Sequence, residues 1–282
     1  MKGGHMNRYS LILLDIDGTL LDSCNEISPN TKRLLTRLHK KGVPVVLTSA
    51  RTPGETELAA QQAGVRAPAI CYNGSLILDE NRAILEDVGI ARAVALAFKA
   101  FAASQFSDIC VSGYLYDIWV VENPEDERVR RLAEQNRKEP LRGALASAVR
   151  MTNHVHKLLC LGSPRRIHEL KARAETEFPV LDFTLSGTAC LEIMKKGVSK
   201  YTAMEAIRRY YGISLEQIVA IGDYYADIDV LRAAGLGIAM GNAPESVKRA
   251  ANRITATHDE DGVYIALKSL RFQSLSRHKT DA

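Results

Sequence analysis

Short apolar runs alternate with amphipathic stretches along the first 80 residues of the chain. Apolar runs of this length are typical of strands buried on both faces of a parallel sheet, and Ser-Pro and Thr-Pro-Gly-Glu caps mark where the amphipathic stretches begin. The pattern predicts strands over residues 9–14, 43–47 and 70–72 and helices over residues 29–41 and 53–63. After the third strand, Asn73-Gly74 predicts a hairpin with a type I′ turn.

The last 90 residues repeat this alternation. They predict helices over residues 198–211, 227–234 and 244–251 and strands over residues 218–221, 236–240 and 254–256. Strands that alternate with helices in this way are typical of a parallel sheet with helices on both faces. The polar segment from Arg271 is expected to fray.

The middle of the chain mixes strands with separate helices, a pattern that is typical of α+β domains. We therefore predict an α/β domain, residues 7–83 and 194–271, that is interrupted by an α+β domain over residues 84–193. Residues 1–6 look like a cloning remnant before a native Met6, and residues 272–282 are predicted to be a tail.

Composition and charge narrow the class of protein. With 282 residues, 46% hydrophobic and 25% charged, the chain has the make-up of a globular protein. The net charge of +4 is mild, and the densest basic groups, residues 128–131 and 137–138, are surrounded by acids. This favours a solvated helix face, so no nucleic acid is expected as a partner.

No apolar run reaches the roughly 18 residues that a membrane span needs, and we expect no membrane partner and no signal peptide. The five cysteines are scattered and form no Cys-x-x-Cys pair. Free thiols of this kind are typical of a reducing compartment, so a cytoplasmic location is expected. The sequence carries no signal for an oligomeric state.

Polar side chains follow three of the predicted strands. Asp15, Ser49 and Asp223 each come at or just after a strand end. Because the carboxyl ends of parallel strands meet at one edge of the sheet, where open α/β folds bind ligands, these side chains are expected to converge. Two carboxylates and a hydroxyl form a hard oxygen site that suits Mg²⁺.

The segment Asp15-Ile16-Asp17-Gly18-Thr19-Leu20 carries the strongest signal. Two acids that leave a strand end together would repel each other unless a cation lies between them. The Gly-Thr pair allows a tight turn whose backbone N–H groups suit an anion. An Asx-turn could explain an isolated Asp-x-Asp, but not the whole pattern after an apolar strand.

Taken in order, these motifs resemble those of the haloacid dehalogenase superfamily of phosphohydrolases, and more narrowly its Cof-type subfamily. Residues 15–20 resemble motif I, residues 47–53 motif II with Ser49 as its hydroxyl, residues 196–200 motif III with Lys200 as its lysine, and residues 222–227 motif IV. Residues 72–75, 237–243 and 259–263 are similar to further subfamily segments. The resemblance implies a Rossmann-like doubly wound parallel sheet with an inserted α+β cap domain of type C2B.

The resemblance also implies an activity, the hydrolysis of small phosphomonoesters, with sugar phosphates among the candidates. Asp15 is then the nucleophile that becomes an aspartyl phosphate, and Asp17 is the general acid and base. Lys200 neutralises charge, while the hydroxyl of Ser49 and the backbone of Ile16 and Ala50 hold phosphate oxygens. Mg²⁺ is bound by four residues: Asp15, Asp17 through its backbone carbonyl, Asp223 and Asp227.

Three further residues are candidates for substrate binding, but each also fits a purely structural role. Arg51 is equally well explained as an ion-pair partner, Asn73 by its turn, and Asn242 by the helix that follows it. His154 and His156 lie on one strand face, but a metal pair needs a third ligand that the sequence does not identify. Trp119 and the tyrosines before it are expected to be packing residues.

One departure from the family pattern keeps two alternative functions open. Motif IV usually has Asn where this chain has Ala226, and alanine can neither donate a hydrogen bond nor bind a metal. The alternatives are a phosphohexomutase on the same core and a phospholigand-binding protein with weakened catalysis. Dehalogenation is disfavoured, because Asp17, the phosphohydrolase acid, is present.

Overall fold

A computed structural model of the chain describes residues 9–275. The predicted cloning remnant and residues 276–282 of the predicted tail lie outside the described residues. The strands are, in chain order, β1 Leu11–Asp15, β2 Val45–Thr48, β3 Ala69–Cys71, β4 Leu76–Leu78, β5 Ile84–Asp87, β6 Ile90–Ala91, β7 Cys110–Leu115, β8 Ile118–Val121, β9 Leu141–Arg142, β10 His154–Val155, β11 Lys157–Leu161, β12 Leu181–Leu185, β13 Cys190–Lys195, β14 Ile218–Gly222, β15 Leu236–Ala239 and β16 Arg253–Ile254.

Helices lie between many of these strands. They are α1 Pro29–Lys40, α2 Pro53–Ala63, α3 Arg92–Gln105, α4 Glu127–Asn136, α5 Leu145–Thr152, α6 Pro164–Glu177, α7 Lys200–Tyr211, α8 Ile228–Ala233, α9 Glu245–Lys248 and α10 Gly262–Leu267. The predicted N-cap Ser28 accepts a hydrogen bond from the Thr31 N–H, and Thr52 and Glu55 form the predicted capping box. Each cap satisfies backbone N–H groups that the helix itself leaves without partners.

The described chain divides into two compact units. The first unit contains the residues up to Glu86 and those from Ser199 onward, and the second contains Asp87–Val198.

An eight-stranded sheet forms the centre of the first unit within the described residues, in the order β16-β15-β14-β1-β2-β3-β4-β5. The pairs from β16 to β3 are parallel, and β3 and β4 are antiparallel. Apolar side chains of α1, α2 and α10 pack on one face of the sheet, and those of α7, α8 and α9 pack on the other. This confirms the predicted doubly wound α/β core.

The start of the predicted tail is paired with the first unit. The Phe272 backbone bridges to Tyr9, and the N–H groups of Gln273 and Leu275 donate to the carbonyls of Tyr9 and Gly42. The expectation that the chain frays from Arg271 is therefore wrong for this stretch, because composition does not reveal the backbone partners that Tyr9 and Gly42 provide.

The second unit is built on a sheet in the order β12-β13-β11-β7-β8-β9 within the described residues. Its core contains apolar side chains of α3, α5 and α6. A separate antiparallel pair joins β6 to β10. Trp119 and Tyr114 are buried with their rings stacked 5.6 Å apart, as expected for packing residues.

Two further expectations concern side chains at the surface and the thiols. In α4, Arg128 pairs with Asp126 and Arg131 with Glu127, so basic residues there have acidic partners. None of the five cysteines forms a disulfide. Among residues 9–275, none of the helices combines the length and hydrophobicity needed to cross a lipid bilayer.

Candidate active site

The site lies at the carboxyl ends of the central strands β14, β1 and β2. At β1 the strand order reverses, because β2 and β3 follow on one side of β1 and β14 and β15 lie on the other. β1 ends at Asp15, and the loop after β14 carries Asp223. β1 is hydrogen-bonded to β14 on one side and to β2 on the other. The topology therefore brings the loops after three strands to one edge, the usual ligand-binding position in an open α/β sheet.

Lys200 joins two of the carboxylates. Its Nζ donates to Asp15 Oδ1 at 2.6 Å and to Asp227 Oδ1 at 2.8 Å, and all three side chains are almost fully buried. Lys200 is the first residue of α7, after the N-cap Ser199. A cation at a helix N-terminus is disfavoured by the helix dipole, so its place here depends on the two carboxylates.

The charges in this cluster do not balance. Burial raises the pKa of Asp15 well above its usual value, and Asp227 and Asp223 raise it further, although Lys200 opposes the change. Burial alone would lower the pKa of Lys200, but the carboxylates of Asp15 and Asp227 raise it above its usual value. Lys200 therefore stays protonated, and one ammonium faces three carboxylates.

This arrangement suits a divalent cation. Asp15, Asp223 and Asp227 can each offer one carboxylate oxygen, and these atoms all lie within 4.8 Å of one another. Oxygen donors with an excess of negative charge are the ligands that Mg²⁺ prefers. Burial also raises the pKa of Asp223, in part opposed by a hydrogen bond from Thr19, and a bound cation would keep this carboxylate charged.

The neighbours of Asp223 hold it in place. Thr19 Oγ1 donates to Asp223 Oδ1 at 2.8 Å. Gly18 has a φ of +73°, and a Cβ there would lie 2.4 Å from Asp223 Oδ2, so only glycine fits the turn. Sequence reasoning did not give Thr19 this role, although its place in the Asp-x-Asp-Gly-Thr motif was a signal for it.

Asp227 supports the loop after β14. Its Oδ2 accepts hydrogen bonds from the backbone N–H groups of Asp223 and Tyr224, at 3.2 and 3.0 Å. Its other oxygen accepts from Lys200. Asp227 thus links the ammonium to the loop that carries Asp223. Ala226, in the same loop, is exposed.

Asp17 points away from the buried cluster and pairs with Arg51. Arg51 donates through Nε and Nη2 to both carboxylate oxygens of Asp17, with a shortest distance of 2.6 Å. Ser49 Oγ donates to Asp17 Oδ2 at 3.2 Å and accepts from the Arg51 N–H. The side chain of Asp17 is 55% exposed, so it can meet a ligand from solvent.

The loop between β3 and β4 contains the predicted turn. Asn73 and Gly74 both have positive φ, and the Ser75 N–H donates to the Tyr72 carbonyl at 3.1 Å, as in a type I′ turn centred on these two residues. The Asn73 N–H also donates to the Ser49 carbonyl at 2.9 Å, so the turn is bonded to the loop after β2.

The remaining predicted residues lie around the same loops. Asn242 Nδ2 donates to the Gly18 carbonyl at 2.9 Å and lies 3.5 Å from Asp223 Oδ2. Ile16 is buried and Ala50 is half-buried, each next in the chain to a site residue. Asn73 is brought to this region by its backbone bond to Ser49.

Comparisons with known proteins identify a family and several relatives. A family model of haloacid dehalogenase-like hydrolases matches residues 12–267. A Haemophilus influenzae protein, provisionally named a phosphatase, is 30% identical over 268 residues, covering 92% of this chain and 97% of its own. The 5-amino-6-(5-phospho-D-ribitylamino)uracil phosphatase of Bacillus subtilis is 28% identical, with 92% and 96% covered.

A solved structure is similar over nearly the same extent. A Thermotoga maritima protein superimposes with a TM-score of 0.87 at 28% identity, covering 95% of this chain and 100% of its own. The similarity therefore includes both compact units, and not the α/β core alone.

Proposed function

The chain belongs to the haloacid dehalogenase-like hydrolases, and from this premise we propose that it is a Mg²⁺-dependent phosphatase that cleaves small phosphomonoesters through an aspartyl phosphate. That it is a phosphatase of this family follows from its relatives. The observation that carries the finer proposal is the buried contact of Lys200 with Asp15, in a cluster of three carboxylates.

Asp15 acts as the nucleophile. An oxygen of Asp15 forms a bond to phosphorus while the bond from phosphorus to the ester oxygen breaks. The ammonium of Lys200 is 2.6 Å from Asp15 Oδ1, so it favours the ionised form of Asp15 against the effect of burial and offsets the negative charge that gathers at the phosphoryl group. Phosphoryl transfer depends mainly on such positioning and charge neutralisation.

Asp17 moves the proton. In the first step it gives a proton to the leaving alcohol, and in the second it takes one from the water that attacks the aspartyl phosphate. Arg51 occupies both oxygens of Asp17 in the structure, and an oxygen that accepts from Arg51 cannot at the same time protonate an alcohol. The phosphate of the substrate is a competing partner for Arg51, and its arrival would release Asp17.

Asp15, Asp223 and the backbone carbonyl of Asp17 would hold Mg²⁺, with Asp227 in the same cluster. Bound there, Mg²⁺ supplies Lewis-acid stabilisation of the negative charge on the phosphoryl oxygens. Thr19 keeps Asp223 oriented through its hydroxyl. Phosphate oxygens are held by the Ser49 hydroxyl and the backbone N–H groups of Ile16 and Ala50, while Asn73 and Asn242 lie beside them.

The substrate is a small phosphorylated metabolite. Sugar phosphates and related phosphate esters of short polyols are the class to screen first, because the Bacillus subtilis relative is named for a phosphoribityl compound. We further propose that residues 84–193 form the inserted cap domain, between the two parts of the core, 7–83 and 194–271, and that the protein works in the cytoplasm.

The test is hydrolysis of p-nitrophenyl phosphate by the purified protein. Turnover is expected with Mg²⁺ and not with EDTA, and Asp15→Asn should reduce kcat by at least about a thousandfold, because loss of a nucleophile removes the covalent route. Asp229→Asn is the matched control, because Asp229 is an exposed aspartate in the first turn of α8, just after the loop that carries Asp223. It should leave turnover unchanged.

Three results would contradict the proposal. Equal turnover by Asp15→Asn would exclude the nucleophile. A need for a sugar bisphosphate, with an isomerised product, would indicate the mutase. Tight binding of phosphoesters without release of phosphate, on a panel of phosphorylated metabolites, would indicate the binding protein.

A further inference from the structure

Three side chains of the second unit bring nitrogen and oxygen donors to one point, away from the catalytic carboxylates. His154 Nε2 and His156 Nε2 lie 2.7 and 2.9 Å from the same oxygen of Asp87, Oδ1. The three donor atoms all lie within 4.8 Å of one another. The sequence showed two histidines without a third ligand, and Asp87, 67 residues before His154, supplies it.

We propose that Asp87, His154 and His156 bind a Zn²⁺ ion through these three atoms and leave its fourth position to water or a small ligand. Two histidines and a carboxylate with an open fourth position are a ligand set that Zn²⁺ takes in proteins. Imidazole suits Zn²⁺, whereas Mg²⁺ prefers oxygen donors. This cluster and the carboxylates of the active site should therefore select different ions.

The arrangement of the two rings fits one tetrahedral ion. Two imidazoles bound to such an ion at the usual Zn–N distance have ring centroids about 5 Å apart, and those of His154 and His156 are 5.0 Å apart. The distances to Asp87 Oδ1 are those of hydrogen bonds, and ligand atoms around Zn²⁺ are about 3.3 Å apart. The carboxylate therefore has to move back by only about half an ångström to admit the ion.

The environment favours the protonation states that a metal requires, a charged carboxylate and neutral imidazoles. Burial lowers the pKa of His156 below its usual value, although Asp87 opposes this. Burial would raise the pKa of Asp87, but the hydrogen bond from Tyr116 and the two histidines outweigh it and lower this pKa. At neutral pH both side chains are thus ready to bind a cation.

Groups around the three ligands can orient them, as outer partners do in metal sites. The Tyr116 hydroxyl donates to Asp87 Oδ2 at 2.7 Å, which leaves Oδ1 for the ion. A metal at Nε2 leaves the proton of a neutral imidazole on Nδ1. The Tyr114 backbone forms a hydrogen bond with the His156 ring that raises its pKa, as an acceptor does, so its carbonyl can take this proton. The Tyr116 N–H now donates to His156 Nδ1 at 3.1 Å, and metal binding would exchange that bond for the one to the carbonyl.

The backbone is shaped for this cluster, and one side of it is open. Tyr116 has a φ of +49°, which is costly for an aromatic residue and is typical of functional sites. A Cβ on Gly89 would lie 2.3 Å from the ring of His154, so the chain next to Asp87 passes close to this ligand. His156 is fully buried, but the side chains of His154 and Asp87 are 19% and 21% exposed, which gives an ion a way in from solvent.

Co²⁺ is the probe for the test, because tetrahedral Co²⁺ absorbs strongly in the visible range and octahedral Co²⁺ does not. The full protein is titrated with Co²⁺ in excess Mg²⁺, which occupies the carboxylates of the active site. We expect one Co²⁺ per chain with the spectrum of a tetrahedral site, and its displacement by Zn²⁺.

Variants assign this binding to the three ligands. Since the loss of an outer partner costs about 10- to 100-fold in metal affinity, Tyr116→Phe should weaken binding by this factor, and Asp87→Asn and His154→Asn by at least about a hundredfold. His168→Asn is the matched control, because His168 is an exposed histidine of the same unit, and it should bind Co²⁺ as the wild type does.

Imidazole ¹⁵N NMR of the wild-type protein tests the site without a mutation. Zn²⁺ should shift the Nε2 resonances of His154 and His156 and leave those of His168 unchanged. The absence of a tetrahedral Co²⁺ spectrum in the wild type would overturn the proposal, and so would binding that Asp87→Asn and His154→Asn leave unchanged.

Discussion

At the residue scale, the site depends on how one buried ammonium separates carboxylates that would otherwise repel one another. Lys200 contacts Asp15 and Asp227 directly, and Asp227 in turn bonds to the loop of Asp223. A change at Lys200 therefore acts on the charge of the nucleophile and on the position of the loop together.

Replacing this ammonium should destabilise the fold as well as the reaction. In Lys200→Met, two buried carboxylates lose their partner, a change that typically costs about 3–5 kcal/mol. We expect a loss of this size in the free energy of unfolding measured by urea denaturation in EDTA, and a smaller loss with Mg²⁺, which replaces the missing positive charge.

The control for that measurement is Lys171→Met, because Lys171 belongs to an ion pair with Glu175 at the surface of α6. Such pairs contribute at most about 1 kcal/mol. Equal losses for the two variants would mean that Lys200 is not the buried counter-charge inferred from its contacts.

A substitution at Ala226 should raise activity instead of lowering it. The side chain is exposed in the loop that carries Asp223, so an Asn has room there. A hydrogen bond to a charged group is worth about 1.5–3 kcal/mol, which corresponds to a rise of at least about tenfold in kcat/KM at limiting Mg²⁺ for Ala226→Asn. The control is Ala103→Asn, at another exposed alanine, which should leave kcat/KM unchanged. An unaltered Mg²⁺ dependence in Ala226→Asn would show that Ala226 does not limit the activity.

From the sequence, the residues at strand ends could be predicted, but the hydrogen-bond and ion-pair partners of their side chains could not. Asp15 and Asp223 could be placed at one edge because strand order and burial determine that edge. The choice of Arg51 between substrate and ion pair could not be made, because the partner, Asp17, is 34 residues away in the chain. Asp87, which lies within hydrogen-bond distance of both His154 and His156, could not be identified from the sequence for the same reason.

At the scale of elements, the loop between β3 and β4 connects the parts of the site. Its backbone bonds to the Ser49 carbonyl, and its Gly74 passes close to the start of α7. A Cβ on Gly74 would lie 2.5 Å from the Ser199 carbonyl oxygen. Since Ser199 is the N-cap of the helix that carries Lys200, the packing of a hairpin loop helps to position the ammonium.

Gly74→Ala should therefore lower both stability and activity. It combines a positive φ of 116° with a clash against backbone, and strain of this kind alone costs about 1–3 kcal/mol. Gly212→Ala is the comparison, because Gly212 also has positive φ but nothing lies within 4 Å of its Cβ position. Thermal unfolding should show the larger loss of stability for Gly74→Ala, and phosphatase activity should fall only in that variant. Equal losses in the two variants would contradict the inference that Gly74 packs against Ser199.

The same loop shows what local sequence signals can and cannot predict. Asn73-Gly74 correctly indicated the hairpin turn, since both residues tolerate positive φ. The bonds of this turn to Ser49 and Arg51, whose carbonyls accept from Asn73 and Tyr72, could not be predicted, because these partners are distant in the chain. Helix starts were predicted more accurately, because a cap and the N–H groups it satisfies lie within four residues of each other.

At the scale of the whole molecule, the central sheet is assembled from both ends of the chain. β1 lies between β2, which follows it closely, and β14, which follows it by about 200 residues. The strand pattern predicted this division, because apolar strands recur on both sides of the middle segment.

This assembly leads to different expectations for fragments of the two units. Residues 87–198 contain a core of their own, with buried side chains from α3, α5, α6 and the surrounding strands, and a segment with its own core can fold alone. The segment produced by itself should unfold cooperatively on heating and keep the buried fluorescence of Trp119. A fragment of residues 7–86 lacks β14, the neighbour of β1, and should remain unfolded until residues 199–275 are added. An unfolded 87–198 segment, or a folded 7–86 fragment, would contradict the division of the chain into these units.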